Sequence, residues 1–257
     1  MNSDNFPQGA ALIYGGSGGL GAACAERIAA YGGDLAITYR GNRDRAETAA
    51  AEIEALGRRC SVHQADLSRA ESVTEAFDAA VAAHGRVHTV VVAAGSDISQ
   101  PYLAETSEEQ WQQVIDNDLN GFFRIARKAI PHMREQGGGS FVHISSAALL
   151  RTAPKDVLSA APKAGIDALI KYIAKEEGIH NIRANSVAIG VIEAGIFLRL
   201  EKEGVFDQRW KEAVKGGLCL KRFGKARDVG EAAAYFASNR ANYVTGQLIS
   251  VDGGYSV

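Results

Sequence analysis

Short apolar segments alternate with longer helical patterns along almost the whole chain, and this alternation constrains the fold more than any other feature. Each apolar segment has the length of a buried strand, and each helical segment is long enough to cross over a sheet. The predicted strands are Ala10–Tyr14, Asp34–Tyr39, Cys60–Gln64, His88–Ala93, Ser140–Ile144, Asn181–Ala188 and Leu248–Val251. The predicted helices are Gly19–Tyr31, Arg43–Leu56, one from Ser68 or Ala70 to His84, Glu108–Asn117, Gly121–Arg134, Ser159–Glu177 and Arg227–Ser238.

Repeated strand-helix units of this kind predict parallel strands joined by right-handed crossovers. We therefore expect an α/β fold: a doubly wound, Rossmann-like parallel sheet of about seven strands with helices on both faces. No segment has the composition of a linker, so residues 1–257 are predicted to form a single nucleotide-binding domain. The segment 193–217 departs from the alternation and is predicted to be a helical substrate lid.

Composition and charge exclude several classes of protein. The chain has 257 residues, of which 46% are hydrophobic, and a net charge of -2, so neither disorder nor a nucleic-acid partner is favoured. The polar segment Met1–Gln8 does not resemble a signal peptide, and the apolar run Val87–Ala94 is too short to span a membrane. Three scattered cysteines favour reduced thiols. We expect a cytoplasmic protein with no membrane partner, and the histidine spacing favours no metal site.

A glycine-rich loop follows the first predicted strand and opens the first predicted helix. It reads Tyr-Gly-Gly-Ser-Gly-Gly-Leu-Gly from Tyr14 to Gly21. Glycines permit a tight turn and close backbone approach, and a helix N-terminus offers free N–H groups to an anion. The sequence therefore predicts a site for the pyrophosphate of a dinucleotide.

The spacing of this loop, Gly-x3-Gly-x-Gly at Gly15, Gly19 and Gly21, resembles the short-chain dehydrogenase/reductase family. Tyr14 stands where that family usually has Thr. Three C-terminal segments resemble family members of the 3-oxoacyl-acyl-carrier-protein reductase type: Leu220–Gly224, Tyr243–Gln247 and Val251–Gly254. The resemblance covers nearly the whole chain. It implies a nicotinamide cofactor, a small-molecule carbonyl or alcohol substrate, and assembly as a homotetramer or homodimer.

The choice between NAD and NADP is predicted at the end of the second strand. An acidic residue there binds the ribose 2′-OH of NAD, whereas an Arg pairs with the 2′-phosphate of NADP. Tyr39 occupies the acidic position and Arg40 follows it, so we expect NADP(H) to be preferred over NAD(H). The alternative is that Arg40 is an ordinary solvated side chain.

Further cofactor contacts are implied by the resemblance. Asp66 corresponds to the family's adenine-contacting Asp, and it is also expected to cap the following helix. The sequence Ala93-Ala94-Gly95 stands where relatives have Asn-Ala-Gly. The full set of expected cofactor contacts is Gly15, Ser17, Gly18, Gly19, Leu20, Gly21, Tyr39, Arg40, Asp66, Leu67, Ala93, Ala94, Gly95, Lys163 and Ile192.

The family's catalytic residues are only partly present. Ser146 matches the Ser that holds the substrate carbonyl, and Lys163 matches the Lys that lowers the pKa of a Tyr one helical turn earlier. That Tyr is replaced by Ser159, and the chain has no tyrosine between Tyr102 and Tyr172.

The family's Asn, which holds a water for proton relay, is also replaced. Asp118 stands in its place. His143 precedes Ser146 on the opposite face of its strand, and we expect it to pack behind the site. Trp210, in the predicted lid, lines either the substrate pocket or a local core.

Three hypotheses about function follow. The first is an NADP-dependent reductase of a small ketone or 3-oxoacyl substrate with a substitute acid: Ser159 through a water, Lys163, Asp118, or Asp156. The second is a cofactor-binding protein with little or no redox activity, acting as a sensor or partner subunit. The third is non-redox chemistry on the same scaffold with Asp118 as the base. The first is preferred because the cofactor loop, Ser146 and Lys163 are all kept.

Overall fold

A computed structural model describes residues 5–257; the first four residues of the segment Met1–Gln8 lie outside the described residues. The strands are β1 (Ala10–Tyr14), β2 (Asp34–Tyr39), β3 (Cys60–Gln64), β4 (Val87–Val92), β5 (Gly139–Ser146), β6 (Ile182–Ile189) and β7 (Leu248–Val251). The helices are α1 (Gly19–Ala30), α2 (Arg43–Ala55), α3 (Ala70–His84), α4 (Glu108–Val114), α5 (Gly121–Glu135), α6 (Val157–Glu177), α7 (Ile196–Lys202), α8 (Gln208–Gly217) and α9 (Ala226–Ala237).

The seven strands form one parallel sheet in the order β3-β2-β1-β4-β5-β6-β7. Its central strands β1 and β4 are buried on both faces, as expected for strands covered by helices on both sides. Helices α1, α2 and α9 contribute to one core cluster, and α3, α5 and α6 contribute to the other. The predicted Rossmann-like, doubly wound fold is confirmed.

The strand order reverses between β1 and β4, because β1 connects to β2 on one side while β4 starts the other half. Ligands of open α/β sheets bind at the carboxyl ends of the strands beside such a reversal. The glycine-rich loop and the end of β4 lie on either side of this point. The topology therefore brings the predicted site residues to one edge of the sheet.

The bounds of several strands were predicted more accurately than the end of the helix near residue 115. The bounds of β1, β2, β3 and β7 agree with the prediction to the residue. The predicted helix Glu108–Asn117 instead ends as an α-helix at Val114 and continues as a π-helical turn, Ile115–Asn120.

An arginine side chain contacts this π-helical turn. The Arg124 guanidinium donates hydrogen bonds to the backbone oxygen of Leu67 at 2.8 Å and to the backbone oxygen of Asp116 at 2.9 Å. It also donates to the Asp116 carboxylate at 2.6 Å. The backbone oxygen of Asp116 also accepts a hydrogen bond from Gly121 N–H in the π-helical pattern, so Arg124 adds a side-chain donor to this turn. No period in the sequence signals such a contact.

The segment 193–217 is helical, as predicted, but it divides into α7 and α8. The two helices share a small apolar cluster with residues on either side of them, separate from the two clusters that flank the sheet. Whether this segment acts as a lid stays a prediction.

Candidate active site

The turn between β1 and α1 presents unpaired backbone amides. The first helical hydrogen bond runs from Ala22 N to Gly18 O, at 2.7 Å, so the amides of Gly19, Leu20 and Gly21 precede the helical ladder. No side chain caps this end of the helix. These donors, together with the positive end of the helix dipole, fit an anionic group such as a pyrophosphate.

Two glycines of this loop are required by the space around them. Gly15 has φ of +81°, and a Cβ there would lie 2.7 Å from the Cα of Ala94. A Cβ on Gly21 would overlap the carbonyl oxygen of Gly15. The loop is therefore folded tightly on itself and against the end of β4, as a phosphate cradle built from main chain requires.

The loop is held by a residue that sequence reasoning missed. Gly15 N donates to Thr38 Oγ1 at 3.1 Å, and Ser17 N donates to the backbone oxygen of Thr38 at 3.3 Å. Tyr14, which stands where relatives have Thr, points away into the core, and its hydroxyl donates to Val73 O at 3.3 Å. Burial raises the pKa of the Tyr14 phenol, so it remains neutral. In the sequence, this contact is indicated just by a Thr within the predicted second strand, and such a residue has many other possible roles.

Tyr39, Arg40 and Asp66 lie together at the carboxyl ends of β2 and β3. Gln64 Nε2 donates to the backbone oxygen of Arg40 at 2.9 Å, which fixes the chain there while the Arg40 side chain remains exposed. Hydrogen bonding from Ser68 lowers the pKa of Asp66, and the charge of Arg40 acts in the same direction. This edge thus carries one exposed cation beside one ionised carboxylate.

The expectation that Asp66 caps α3 is wrong. Its Oδ1 accepts hydrogen bonds from Ser68 N at 3.0 Å and Ser68 Oγ at 2.7 Å, which closes a turn before the helix. Helix α3 begins at Ala70 with Arg69 in the capping position and no side-chain cap. The two residues between Asp66 and Arg69 place the carboxylate too early in the chain to reach the helix amides.

Ser146 and Lys163 lie at the carboxyl end of β5 and near the start of α6. Ser146 is half-buried, and its Oγ accepts a hydrogen bond from Ala148 N at 3.1 Å. Lys163 Nζ donates to Ser159 Oγ at 3.2 Å, one helical turn away. The lysine therefore contacts the residue in the tyrosine position, but that residue supplies an aliphatic hydroxyl and no phenol.

Asp118 is buried inside the π-helical turn, with 6% of its surface exposed. Its Oδ1 accepts three hydrogen bonds, from Ser96 N at 2.9 Å, Ser96 Oγ at 2.8 Å and Asn117 Nδ2 at 2.7 Å. One carboxylate oxygen is thus committed to holding the loop after β4. The other oxygen, Oδ2, lies toward Gly95.

Asp156 directly precedes α6 and adds a second carboxyl near Lys163. Burial raises its pKa, while the charge of Lys163 opposes that shift. Its backbone oxygen accepts from Ser159 N at 3.1 Å and Ala160 N at 2.8 Å. The carboxyl is a stronger proton donor candidate than its exposed counterparts, because a raised pKa keeps it protonated to a higher pH.

A buried polar cluster lies behind the site, between β5, β6 and α6. Asp167 accepts hydrogen bonds from Ser145 Oγ and Ser186 Oγ, both at 2.6 Å, and its Oδ1 lies 3.0 Å from His143 Nδ1. His143, Ser145 and Ser186 are each at most 2% exposed. The prediction that His143 packs behind the site agrees with this position, but its carboxylate partner was not foreseen because Asp167 is remote in sequence.

The segment 193–217 approaches the site at two points. Its first residues lie against the glycine loop, where a Cβ on Gly19 would be 3.1 Å from Gly195 N. Arg199 of α7 contacts the loop after β4: its Nη2 donates to Ile98 O at 2.7 Å and its Nε lies 2.9 Å from the Asp97 carboxylate. Both contacts place α7 over the carboxyl edge of the sheet.

Two residues that were expected near ligands are largely occupied by packing. Trp210 stacks on Phe206 with ring centroids 3.9 Å apart, inside the apolar cluster of α7 and α8, which favours the local core over a pocket lining. Ile192 is buried, and its backbone forms a bridge to Gly224. Any cofactor contact of Ile192 is expected to involve its main chain.

Residues 5–257 hold neither a metal-binding cluster nor a membrane-spanning helix. Within that range, no group of three or more His, Cys, Asp or Glu side chains is arranged to hold a metal ion. The same residues include no helix with the length and apolar character needed to cross a membrane.

Comparison with known proteins links this geometry to characterised chains. The family model described as enoyl-(acyl carrier protein) reductase matches residues 15–256. The chain is 32% identical over 244 residues to the 3-oxoacyl-acyl-carrier-protein reductase of Staphylococcus epidermidis, covering 95% of this chain and 97% of that protein. It is 35% identical over 247 residues to 3β-hydroxysteroid dehydrogenase 1 of Eggerthella lenta, covering 96% and 93%.

Solved structures of similar enzymes superimpose on this chain over almost its full length. A short-chain type dehydrogenase/reductase from Mycobacterium ulcerans superimposes with a TM-score of 0.91 at 30% identity, covering 98% of this chain and 91% of that one. Levodione reductase superimposes with a TM-score of 0.92 at 27% identity, covering 98% of both chains. These likenesses extend over the whole sheet and both helical layers.

Proposed function

The chain belongs to the short-chain dehydrogenase/reductase family, and from this premise we propose that it is an NADP(H)-dependent oxidoreductase of a small carbonyl or alcohol compound, with proton delivery that does not use a phenol. The observation that carries the proposal is the cradle of unpaired amides at Gly19, Leu20 and Gly21 beside the retained Ser146 and Lys163.

The nucleotide end of the site fits a dinucleotide by its own geometry. The glycine loop leaves room for no side chain at Gly15 or Gly21, and its amides precede the helical ladder. We expect Ser17, Gly18 and these amides to bind the pyrophosphate, with Asp66 and Leu67 beside the adenine. Ala93, Ala94 and Gly95 are expected to lie along the nucleotide from the end of β4. When bound, the nicotinamide supplies or accepts the hydride.

The preference for NADP(H) rests on Arg40. Its exposed guanidinium follows Tyr39 at the end of β2, where an acidic side chain would repel a 2′-phosphate. A charge-assisted hydrogen bond to phosphate contributes about 1.5–3 kcal/mol. This corresponds to roughly 10- to 100-fold in affinity between the two nucleotides.

The carbonyl end supports slow chemistry. Ser146 is placed to orient a substrate oxygen, and Lys163 to bind the nicotinamide ribose. A positioned general acid contributes roughly 10² to 10⁴ in rate, so its loss reduces turnover without removing the effects of positioning. The substitute acid is a member of the set Ser159 through a water, Lys163, Asp118 and Asp156. Asp156 is favoured by its raised pKa and proximity to Lys163, whereas one oxygen of Asp118 is committed to Ser96.

The substrate class is suggested by relatives. Two similar proteins are named for a 3-oxoacyl-acyl-carrier-protein and a 3β-hydroxysteroid, and a structural neighbour is named for levodione. All three names imply a ketone or its secondary alcohol. We propose a substrate of this kind, a cytoplasmic location, and a homotetramer or homodimer.

A second candidate function is nucleotide binding with little or no redox activity. It is favoured by one observation, the hydroxyl of Ser159 in place of a phenol beside Lys163. Non-redox chemistry with Asp118 as the base is a third candidate, and the occupied Oδ1 of Asp118 disfavours it.

Titration of NADPH and NADH, followed by nucleotide fluorescence, tests the proposal. We expect wild-type protein to bind NADPH more tightly, and Arg40→Ala to weaken NADPH binding about 10- to 100-fold while leaving NADH binding unchanged. Arg45→Ala, which removes an exposed charge on α2, is the matched control. Tighter binding of NADH by the wild type would overturn the nucleotide assignment, and turnover at ordinary reductase rates would exclude the redox-silent candidate.

A further inference from the structure

The segment 252–257, which follows β7, forms a tight turn on the same side of the sheet as the candidate site. β7 is parallel to its neighbour, so its end lies on the edge where β5 also ends. Asp252 Oδ1 accepts a hydrogen bond from Gly254 N at 2.9 Å, and its Oδ2 accepts from Ser256 N at 3.0 Å and from Ser256 Oγ at 2.6 Å. Gly253 and Gly254 have φ of +64° and +82°, which glycine adopts without strain. The turn is therefore closed by its own hydrogen bonds.

This turn is fixed against the predicted lid and the residues that follow it. Leu220 N donates to Gly253 O at 3.0 Å, and Cys219 Sγ lies 3.4 Å from Gly254 O. The Tyr255 side chain packs against the apolar cluster of α7 and α8. The turn thus contacts this part of the chain through its main chain and through one aromatic side chain.

Tyr255 also contacts the loop that follows β5. Arg151 Nη1 donates to the backbone oxygen of Tyr255 at 3.0 Å, and the guanidinium carbon of Arg151 lies 5.1 Å from the centroid of the Tyr255 ring. A guanidinium within about 6 Å of an aromatic centroid is attracted to the face of the ring. One arginine side chain therefore binds both the main chain and the ring of the same residue.

A short hydrogen-bonded turn joins Arg151 to Ser146. Ala148 N donates to Ser146 Oγ at 3.1 Å. Leu150 N and Arg151 N both donate to Ala147 O at 3.0 Å. Because Ser146 Oγ accepts from Ala148, the hydrogen of its hydroxyl is left to donate to a substrate oxygen. The position of this hydroxyl depends on the turn, and Arg151 fixes the far end of the turn to Tyr255.

We propose that Arg151 and Tyr255 are positioning residues that hold the Ser146 hydroxyl where it can bond a substrate carbonyl oxygen, and that Tyr255 links this hydroxyl to the predicted lid. This inference rests on the proposed function, in which Ser146 orients that oxygen. Hydride addition places negative charge on the oxygen, so a hydrogen bond from Ser146 is strongest in the transition state. A displacement of such a group by about 1 Å lowers the rate by about 100-fold. Arg151 and Tyr255 act through Ser146 and need not touch the substrate.

The test compares Arg151→Met with wild type in the reduction of a panel of ketones by NADPH. Met keeps an unbranched side chain but has neither the charge nor the N–H donors of Arg. We expect kcat to fall by about 10- to 100-fold, with KM and the Kd for NADPH within about twofold of the wild-type values. This pattern differs from the loss of a lid contact, which raises KM.

Conservative variants should recover the activity. Arg151→Lys keeps the charge over the ring, and we expect it to restore part of the lost kcat. Tyr255→Phe keeps the ring and the backbone oxygen and should resemble the wild type, whereas Tyr255→Leu should resemble Arg151→Met. Equal kcat in Tyr255→Phe and Tyr255→Leu would contradict the role given to the ring.

Arg240→Met is the matched control. Arg240 is also exposed, and its guanidinium carbon lies 5.7 Å from the ring centroids of Tyr31 and Tyr235. Tyr31 caps the end of α1, away from the carboxyl ends of the strands, so this variant should leave kcat unchanged. An unchanged kcat in folded Arg151→Met would overturn the proposal, as would a raised KM with unchanged kcat.

A double variant tests whether Arg151 acts through Ser146. Ser146→Ala removes the hydroxyl that the turn positions, so adding Arg151→Met to Ser146→Ala should lower kcat no further. A residue that supports the fold in general would lower kcat by the same factor with or without the Ser146 hydroxyl. Equal factors in the two backgrounds would therefore overturn the proposal.

Hydrogen exchange at the amides of Ala148 and Leu150 tests the contact independently of activity. Both amides donate within the turn that follows Ser146, so we expect their exchange to be at least about tenfold faster in Arg151→Met and unchanged in Arg240→Met. Unchanged exchange in Arg151→Met would overturn the proposal. A wild type that binds NADPH but reduces no ketone would instead overturn the proposed function, and the exchange rates would still decide whether Arg151 holds the turn.

Discussion

The nucleotide end and the carbonyl end of the site are built by different means. At the proposed nucleotide end, we expect recognition to depend on main-chain amides and on glycines that exclude side chains, with Thr38 bracing the turn. At the proposed carbonyl end, we expect recognition to depend on individual side chains, among them Ser159 and Asp118. Main-chain amides do not depend on side-chain identity, so the first end is constrained mainly at its glycines, whereas the second end depends on the identity of individual side chains.

The difference teaches where a family likeness can be relied upon. The sheet and the reversal of strand order follow from patterns spread along the chain. In our proposal, proton delivery depends on a few atoms, so the hydroxyl of Ser159 in place of a phenol alters that step without disturbing the fold. The experiments below separate the two ends, in order of expected effect.

Restoring the phenol is the largest expected change. Ser159→Tyr should raise kcat for carbonyl reduction by roughly 10²–10⁴, because the new hydroxyl would stand one turn from Lys163. Ser159→Phe adds the same bulk without a hydroxyl and should give no increase. Rates are measured by NADPH oxidation with a panel of ketones. Equal rates for the two variants would mean that the carbonyl end differs from relatives in more than the acid.

Disturbing the nucleotide end should abolish binding while sparing the fold. Gly21→Ala places a methyl group on the carbonyl oxygen of Gly15, so the loop must shift and its amides move. We expect NADPH affinity to fall at least about 100-fold, or about 2.7 kcal/mol. Gly178→Ala, at an exposed glycine where a Cβ would meet no atom within 4 Å, should bind normally. An unchanged Kd in Gly21→Ala would show that the amides are not the binding groups.

Substitutions of Asp118 test whether its carboxylate stabilises the loop after β4. Asp118→Ala leaves the buried donors of Ser96 and Asn117 without their acceptor, so unfolding free energy should fall by about 2–4 kcal/mol. Asp118→Asn keeps an acceptor oxygen and should cost less. Urea denaturation measures both, with exposed Glu52→Ala expected within about 0.5 kcal/mol of wild type. If Asp118→Ala left the free energy of unfolding unchanged, Asp118 would not hold the loop after β4.

The smallest effect is expected at the contact between α7 and the loop after β4. Arg199 is partly exposed, so Arg199→Gln should change stability by less than about 1 kcal/mol. It should raise KM by roughly threefold to tenfold without changing the Kd for NADPH, because the predicted lid loses its anchor at Asp97 and Ile98. Exposed Lys202→Gln is the control. If the Kd for NADPH rose by the same factor as KM, Arg199 would instead act at the nucleotide end.

The sequence predicted the sheet well because its signals are local. Buried parallel strands read as short apolar runs bounded by turn residues, and β1 and β2 were found to the residue for that reason. The glycine loop was likewise located by its spacing, whereas Ser146 and Lys163 were identified by their resemblance to the family's residues. The π-helical turn was missed because the contacts that accompany it, such as those of Arg124 with Asp116 and Leu67, join residues that no local pattern connects.

The amino-acid sequence by itself determined the order of strands and helices, the position of the glycine-rich loop and the absence of a tyrosine between Tyr102 and Tyr172, because each depends on residue type and short spacing. Only the tertiary structure decided what the substituted residues contact. Asp118 holds Ser96, and Asp167 holds His143, across separations of 22 and 24 residues. Such pairs form because burial leaves each polar group to the partners that the packed sheet and helices bring within reach.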